Sequence, residues 1–514
     1  MSGSRIEKSS VNVAAAVAQN LLNIILAFVS RIIFVQILDA DYLGINGLFT
    51  NILNVLSLAD LGMGTAMMYS LYKPIAEKDE AAICSLIDFF KKIYVCIALF
   101  ILLIGIALIP ILPLIVNLDT QIENLELYYL VALANVVVSY LFVYRTTLAS
   151  ADQKSYVLNK YIMLFKGASF VAQTIVLLVF RNYLLYLVTE LVINFLCNFT
   201  QNAVVVHMYP YLKKRSEKLK SSQKKKIGRD VKSLFIYKLG GTIQGNTDSI
   251  LISIFSGTVK VGFYSNYLII INAITSLITV VFTAIKASVG NLIASEQTSK
   301  DGEQRVFWIL EFINYWLVGF SSVCFFCLFD DCIQIFFGKE YVLSMPVLAA
   351  LVMNFYSINI CQVIWVFRET TGLFHETKYI AFITAVLNLI LSVILGVKWK
   401  MFGILIATTV SRLLFMGWRE PMILFCQYFG EGLKKYYINY IRRALLTIAV
   451  LFITYSVCER MRMENMYLNF VGKLLICAVV SNLCFLLRFC RTEEFCYVWR
   501  SVIRPMLRRR ANRL

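Results

Sequence analysis

The sequence predicts an all-α integral membrane protein that crosses the bilayer about fourteen times. Apolar residues make up 59% of its 514 residues and the mean hydropathy is +0.72, whereas soluble domains are nearer half apolar. Charged and turn-forming clusters separate apolar runs of about 20 residues or more, the length that crosses a bilayer as a helix. The predicted spans are 12–36, 43–72, 92–116, 127–150, 157–180, 183–208, 233–256, 261–291, 306–329, 342–367, 377–397, 402–427, 438–457 and 467–489.

The distribution of charge predicts how these helices are oriented. A net charge of +18 would suggest a nucleic-acid partner in a soluble protein. Here about 34 of the 49 Lys and Arg residues fall in tails and loops on the side of the N-terminus, whereas Asp39, Asp119 and Asp331 fall in the opposite loops. By the positive-inside rule, both termini are expected in the cytoplasm. The basic excess there favours anionic lipid headgroups, and no nucleic-acid partner is expected.

A basic segment predicts the domain organisation. Between 213 and 232 there are ten basic residues, opposed by Glu217 and Asp230. This segment divides the chain into a six-helix bundle (1–208), a cytoplasmic linker (209–232), a second six-helix bundle (233–427), two additional helices (428–489) and a basic tail (490–514). The two additional helices carry few interior polar residues and are predicted to be an appendage, with Lys473 reaching the outer interface.

Short matching strings indicate that the second bundle repeats the first. Arg145 precedes Tyr156 by eleven residues, and Arg368 precedes Tyr379 by the same interval. Leu43-Gly44, which opens the second span, likewise corresponds to Val261-Gly262, which opens the eighth. Because six spans return the chain to the same side, the two copies would be related by a pseudo-two-fold axis along the membrane normal.

Polar residues on four of the predicted helices indicate a cavity inside the membrane. They recur at three- and four-residue intervals and so share one face of each helix. A charge at mid-depth costs roughly 2.5 to 3.5 kcal/mol, so Arg31 is expected to face protein or water. The alternative for the uncharged residues is that they join helices by hydrogen bonds. The candidate substrate-binding residues are Asn23, Arg31, Asn54, Asp60, Asp248, Thr283 and Lys286.

The 13 cysteines predict neither disulfides nor a metal site. Most are scattered along apolar helices, where cysteine behaves as a small hydrophobic residue. Cys324 and Cys327 form a CxxC sequence, but it lies within an apolar run and has no second pair or histidine partner. Packing is the favoured interpretation, and no cofactor is expected.

Several sequence motifs together resemble a known family. They lie at 30–34, 42–49, 60–64, 71–74, 151–156, 246–248, 371–374 and 377–379, and include Asp60-Leu61-Gly62-Met63-Gly64 and Ala151-Asp152-Gln153-Lys154-Ser155-Tyr156. They are similar to bacterial polysaccharide-biosynthesis membrane proteins, the Wzx-like oligosaccharide repeat-unit flippases of the multidrug/oligosaccharidyl-lipid/polysaccharide exporter superfamily. Nearly the whole chain is covered by this resemblance.

The resemblance implies a function and a set of partners. It implies two six-helix bundles around a central cavity, alternating access, and an undecaprenyl-pyrophosphate-linked oligosaccharide as substrate in the bacterial cytoplasmic membrane. Arg31 and Lys286 match the positions at which the family's cationic residues are held to meet the pyrophosphate. A polysaccharide polymerase and glycosyltransferases are the protein partners that it implies, in the synthesis of capsule or lipopolysaccharide.

Two other functions remain open at this point. A multidrug exporter of the same superfamily would use Asp60 or Asp248 as a proton or sodium site, although twelve spans are usual there. A membrane glycosyltransferase can carry an acidic pair such as Asp39 and Asp41 in its first outer loop, but such enzymes usually need a large outer domain, and every outer connection here is short. The chain is therefore expected not to be an enzyme.

Overall fold

The computed structural model describes residues 2–57, 63–117, 122–152, 154–213, 219, 224–225, 227–228, 245–294, 299–377, 379–461, 463–500 and 504. The side chains of 2–19, 65, 284, 287, 291, 294, 374 and 375 lie outside that description. Over these ranges the chain is almost entirely helical. Its helices are α1 (Ser2–Ile37), α2 (Ala40–Leu56), α3 (Met63–Glu77), α4 (Glu80–Ala107), α5 (Leu112–Ile115), α6 (Leu125–Tyr140), α7 (Val143–Ala151), α8 (Ser155–Phe180), α9 (Tyr183–Met208), α10 (245–256), α11 (Thr258–Ala294), α12 (Lys300–Phe336), α13 (Met345–Asn359), α14 (Gln362–Thr370), α15 (Phe374–Thr377), α16 (Ile380–Ser411), α17 (Gly417–Leu424), α18 (Leu433–Arg460), α19 (Met466–Ile476), α20 (Asn482–Phe489) and α21 (Glu493–Val498).

Polar caps explain where several of these helices begin. The carboxylate of Asp79 accepts a hydrogen bond from the backbone N–H of Ala82 at the start of α4. Asn182 caps α9 in the same way through the N–H of Leu185. These side chains satisfy amide groups that the first turn of a helix leaves without partners. As a result α4 begins twelve residues before the predicted span at 92–116.

The lengths and hydropathies of the helices confirm a multi-pass membrane protein. Among the described residues, ten helices are long and apolar enough to cross a membrane, or eleven if the bent pair α6 and α7 counts as one span. One of the ten runs from Ile380 to Phe429, and a non-helical backbone at Lys400 (φ 51°, ψ −134°) divides it close to the predicted boundary. The second and seventh predicted spans extend into residues outside the described ranges, so the count of fourteen stays a prediction.

Two spans are broken at corresponding places. The predicted fourth span consists of α6 and α7, which are bent by 42°. The predicted tenth span consists of α13 and α14, and α7 and α14 are each nine residues long. Arg145 lies in α7 and Arg368 in α14. The same break at the two arginine-bearing helices is what a duplicated unit would have.

The described chain forms two compact units. Unit A comprises 26–265 and 381–400, and unit B comprises 1–25, 266–380 and 401–514. In unit A, the rings of Phe49 and Tyr129 pack edge to face with centroids 5.2 Å apart, and both side chains are buried. The predicted linker at 209–232 lies mostly outside the described residues, so the predicted domain division stays a prediction.

Unit B is built around α12, and here the structure corrects two expectations. Asp331 does not lie in an outer loop but within α12. Lys473 does not reach the interface, because it is buried and donates a 2.6 Å hydrogen bond to Asp331. The helices α18 to α20 therefore pack directly onto α12, where Phe485 contacts Tyr315 at a centroid distance of 5.5 Å.

Cys327 belongs to this apolar core. Its sulfur lies within 4.8 Å of the sulfurs of Cys458 and Cys477, and all three side chains are buried. The three residues come from α12, α18 and the π-helical turn that follows α19. A small, apolar side chain at each position lets these helices approach closely.

Candidate functional site

Arg31 lies on α1 within unit A and is held by the start of α11. Its Nη2 donates a hydrogen bond to Ser265 Oγ. Ser265 in turn donates to the carbonyl oxygen of Gly262 at 2.7 Å. The guanidinium thus contacts a neutral hydroxyl. It is partly buried and lies within an apolar span of α1. This arrangement keeps a full positive charge facing protein rather than lipid.

Aromatic side chains from four helices line the neighbouring part of unit A. Tyr183 of α9 is buried and lies at its centre, with its ring 5.1 Å from Tyr42 and 5.1 Å from Tyr128. Its hydroxyl donates to Asn46 Oδ1 at 3.3 Å. On the other side Phe34, three residues after Arg31, contacts Tyr183 at 6.0 Å. These rings form an aromatic wall of which only the hydroxyl ends are polar.

The remaining predicted residues of unit A have different placements. Asn54 is exposed, and its Nδ2 donates to Asn246 Oδ1 at 3.3 Å. Asp248, two residues further along α10, is only 5% exposed. Asp60 lies outside the described residues. The structure thus joins the polar faces of α2 and α10 through their amides.

In unit B the predicted polar face of α11 meets other helices. Lys286 Nζ pairs with Glu369 Oε2 of α14, and the two side chains remain 42% and 28% exposed. Thr283 is exposed, and Asn23 of α1 is partly buried. Other residues of the same α11 face accept or share hydrogen bonds within the unit: Thr275 with Asn359 at 3.2 Å, Ser276 with Asn20 at 2.7 Å, and Thr279 with Gln362 at 3.4 Å.

The anions that accompany Lys286 were not among the residues predicted from the sequence. Arg368 Nη2 lies 3.7 Å from Glu369, and Arg368 Nη1 donates a 2.6 Å hydrogen bond to Glu420 of α17. Trp365 Nε1 also donates to Glu420, at 2.8 Å. Arg368 and Glu420 are 6% and 2% exposed, so this second pair is removed from water. Charge thus alternates in sign from Lys286 to Glu420.

A polar stripe on α9 was also missed, although its spacing is visible in the sequence. Glu190, Asn194, Asn198 and Asn202 recur at four-residue intervals and so share one helix face. Asn135 of α6 donates to Glu190 at 3.1 Å and accepts from Asn194 at 2.6 Å. At the far end, Arg145 Nη1 donates to Asn202 at 2.7 Å. The stripe joins α6, α7 and α9.

A small polar cluster lies between α7 and α8, outside the membrane-spanning segments. Asp152 accepts a 2.6 Å hydrogen bond from Tyr209 and lies 2.7 Å from the ammonium of Lys154. Partial burial acts to raise the pKa of Asp152, but the hydrogen bonds and the charge of Lys154 outweigh it and hold the pKa below its ordinary value. Burial and the bond to Asp152 raise the pKa of Tyr209. These contacts connect the loop between α7 and α8 to the end of α9.

Known proteins resemble this chain in structure rather than in sequence. No protein-family model and no curated protein sequence matches it. The structure is similar to that of the lipid II flippase MurJ in an inward closed conformation, with a TM-score of 0.67 and 15% identity over 92% of this chain and 98% of that chain. It is also similar to a multidrug resistance MATE family transporter of the MOP superfamily in its inward-facing conformation, with a TM-score of 0.55 and 15% identity over 77% and 92% of the two chains.

These similarities agree with the fold predicted from the sequence motifs. At 15% identity these similarities show the fold alone, because one fold can carry many functions. Both comparisons cover more than nine-tenths of the solved chain, so the likeness extends over whole transporters and not over one repeated motif. The chain therefore shares the fold of these two solved proteins, which is the all-helical membrane fold that the sequence motifs predict.

Proposed function

We propose that this protein is a flippase that moves an undecaprenyl-pyrophosphate-linked oligosaccharide repeat unit across the cytoplasmic membrane by alternating access. The proposal rests on the environment of Arg31. This cation lies within an apolar span beside the aromatic wall, and it donates a hydrogen bond to the neutral hydroxyl of Ser265. The fold shared with a lipid II flippase over 92% of the chain supports the same class of substrate.

The chemistry of such a substrate explains why a protein is needed. A sugar head carries many hydroxyl groups, each of which costs several kcal/mol when moved into hydrocarbon without a partner, and the diphosphate costs far more. A polar path through the membrane avoids that cost. Guanidinium groups suit diphosphates because they make two parallel, charge-assisted hydrogen bonds. Arg31 is the candidate contact for the diphosphate.

Lys286 is the second candidate contact. It is paired with Glu369, but both side chains remain partly exposed, so a diphosphate oxygen can replace the carboxylate without uncovering a buried charge. Amides such as Asn54 and Asn246, together with Asn23 and Thr283, are suited to sugar hydroxyl groups, because amides and hydroxyls accept and donate in many geometries. Asp60 and Asp248 are proposed to balance the cationic groups when no substrate is bound.

The membrane potential is the proposed driving force. An inside-negative potential favours outward movement of an anion by roughly 2.3 kcal/mol per charge per 100 mV. With both termini in the cytoplasm, as the distribution of Lys and Arg indicates, the substrate would be loaded from the cytoplasmic side. A polysaccharide polymerase and glycosyltransferases would then act on the product and the precursor.

Flipping by purified protein in sealed vesicles tests this proposal. The substrate is a fluorescent undecaprenyl-pyrophosphate oligosaccharide, and the readout is its protection from an external sugar-modifying enzyme. Arg31→Ala should reduce the rate at least tenfold, Arg31→Lys should restore part of it, and Arg181→Ala, which removes an exposed cation outside a span, should leave it unchanged. Equal rates for Arg31→Ala and the unaltered protein would overturn the proposal, and equal rates after collapse of the potential would remove the driving force.

A cation-coupled multidrug exporter is the second candidate, and Glu190 is the observation that favours it. This carboxylate lies within the membrane-spanning helix α9, and Asn135 donates a hydrogen bond to it. Ionisable residues inside membrane spans commonly serve as proton or cation sites. The MATE-like fold is compatible with the same activity. The Arg31 variants separate the two candidates, because export of a cationic drug should persist or improve when Arg31 is replaced by Ala or Glu.

A further inference from the structure

A basic pocket lies at one end of unit B, between the last membrane helices. Its charged lining residues are Lys435, Arg442 and Arg443 of α18, Arg488 of α20, and Glu494 of α21. The pocket has an empty volume of about 640 Å³, which includes its open mouth. Glu494 is the one carboxylate among the lining residues. Residues about fifty positions apart in sequence therefore converge on a concave site with an excess of positive charge.

The four cations of the pocket differ in what already holds them. Arg443 is buried and pairs with Glu311 of α12, so its charge is balanced inside the unit. Lys435 is exposed, lines the pocket and lies over the ring of Trp308, with its ammonium 4.7 Å from the centroid. Arg442 and Arg488 are exposed. The pocket therefore presents three accessible cations against Glu494.

The pocket lies at the depth of lipid headgroups. The apolar run of α18 begins at Ala444, directly after the two arginines, and Arg488 is the second-last residue of α20. Tyr436, Tyr437 and Tyr440 precede the arginines on α18. Tyrosine and tryptophan are enriched where membrane helices pass from hydrocarbon to headgroups. The cations thus lie at the boundary between the acyl chains and water.

Two apolar side chains also line the pocket. Leu446 and Phe489 line it, Phe489 being buried and Leu446 partly buried. A molecule that fills the site would therefore have a negative head against the arginines and a hydrocarbon part against these two side chains. Basic pockets between membrane helices at the cytoplasmic side are suited to anionic lipid headgroups.

We propose that this pocket binds the headgroup of an anionic phospholipid, with the phosphate between Arg442, Arg488 and Lys435 and the first part of the acyl chains against Leu446 and Phe489. A lipid headgroup and free phosphate share the phosphate group, and the apolar side chains of Leu446 and Phe489 favour a lipid as its source. Such a lipid would join α18 to α20 at the membrane surface. The site does not depend on the substrate proposed above, because it lies among other residues.

Lipid binding to the purified full-length protein tests the inference. The protein in neutral detergent is titrated with phosphatidylglycerol, with phosphatidylethanolamine and with inorganic phosphate, and bound lipid is counted by native mass spectrometry. Phosphatidylglycerol should bind at least tenfold more tightly than phosphatidylethanolamine. Arg442→Ala and Arg488→Ala should each weaken its binding by about fivefold, since each basic residue near the surface contributes a factor of about that size.

Matched controls distinguish a specific lipid-binding site from general attraction of anionic lipids by surface charge. Lys434→Ala and Arg491→Ala remove exposed cations from the same helix ends, but neither residue lines the pocket, so phosphatidylglycerol binding should stay within twofold. Equal losses in the pocket and control variants would overturn the inference, as would equal binding of the two lipids. Competition by inorganic phosphate at equal concentration would show a free-anion site instead. If an alanine variant fails to fold, Arg442→Gln and Arg488→Gln give the same comparison.

Discussion

Gly44 and Gly262 lie in direct contact in unit A, where α2 begins and α11 has completed its first turn. A Cβ atom on Gly262 would lie 2.8 Å from the backbone nitrogen of Gly44. The sequence pairs these two glycines as equivalent positions of a duplicated unit. Equivalent residues can contact each other only near the axis that relates the two copies. The pseudo-two-fold axis that the predicted duplication requires would therefore pass close to this contact.

Replacing either glycine should destabilise the protein. A Cβ at Gly44 would clash with the carbonyl oxygen of Thr258, and one at Gly262 would meet the backbone of Gly44. Because backbone atoms cannot move aside as a side chain can, Gly44→Ala and Gly262→Ala should each cost about 1–3 kcal/mol. The thermal unfolding midpoint in detergent measures this cost. Gly167→Ala is the matched control, because a Cβ there meets nothing within 4 Å, and a loss of the same size in that variant would contradict the explanation.

Breaking the buried pair of Arg368 and Glu420 should have a larger effect. The two side chains are almost fully buried and 2.6 Å apart, so Arg368→Ala leaves a carboxylate without its cation. Loss of one partner of a buried pair costs about 3–5 kcal/mol. Replacing both by apolar residues, as in Arg368→Met with Glu420→Leu, should cost less than the single change. Thermal unfolding of the single and double variants provides the comparison, and a double variant less stable than Arg368→Ala would contradict it.

Removing one partner of the Lys286–Glu369 pair should, by contrast, have little effect on stability. Both side chains are partly exposed, so Glu369→Gln should change stability by less than about 1 kcal/mol. If Lys286 meets the substrate diphosphate, the same change frees the ammonium and should tighten binding of an undecaprenyl-pyrophosphate lipid. Tryptophan fluorescence on titration with that lipid measures the affinity. Weaker binding by Glu369→Gln, at unchanged stability, would exclude this role for Lys286.

The loop at Asp152 should be sensitive to acid. Its carboxyl has a lowered pKa in the folded protein, so its contribution to stability is complete above the ordinary value of about 3.9 and is lost as the pH falls below it. Asp152→Asn should therefore lower the thermal midpoint at pH 7 and lower it by a smaller amount at pH 3. Midpoints of both proteins at the two pH values give the measurement. A difference that persists undiminished at pH 3 would assign the effect to packing.

Much of the fold could be predicted from local sequence, because a bilayer restricts which backbone structures can cross it. Without water, backbone groups must bond within the helix, so apolar runs of sufficient length are helical whatever their neighbours. The breaks between α6 and α7 and between α13 and α14 are less evident in such a pattern, since a kink depends on what packs against it. The arginine interval that links Arg145 to Arg368 was visible in the sequence because both residues lie in the second, nine-residue helix of a broken span.

What the sequence by itself determined is the class of protein: a multi-pass, all-helical membrane chain with cationic and amide residues at positions that lipid disfavours. What only the tertiary structure decided is which charge each cation meets. Lys286 pairs with Glu369 and Lys473 with Asp331, partners 83 and 142 residues away. Hydropathy is a property of neighbouring residues along the chain, whereas an ion pair depends on which helix faces are brought together, and no local pattern encodes that.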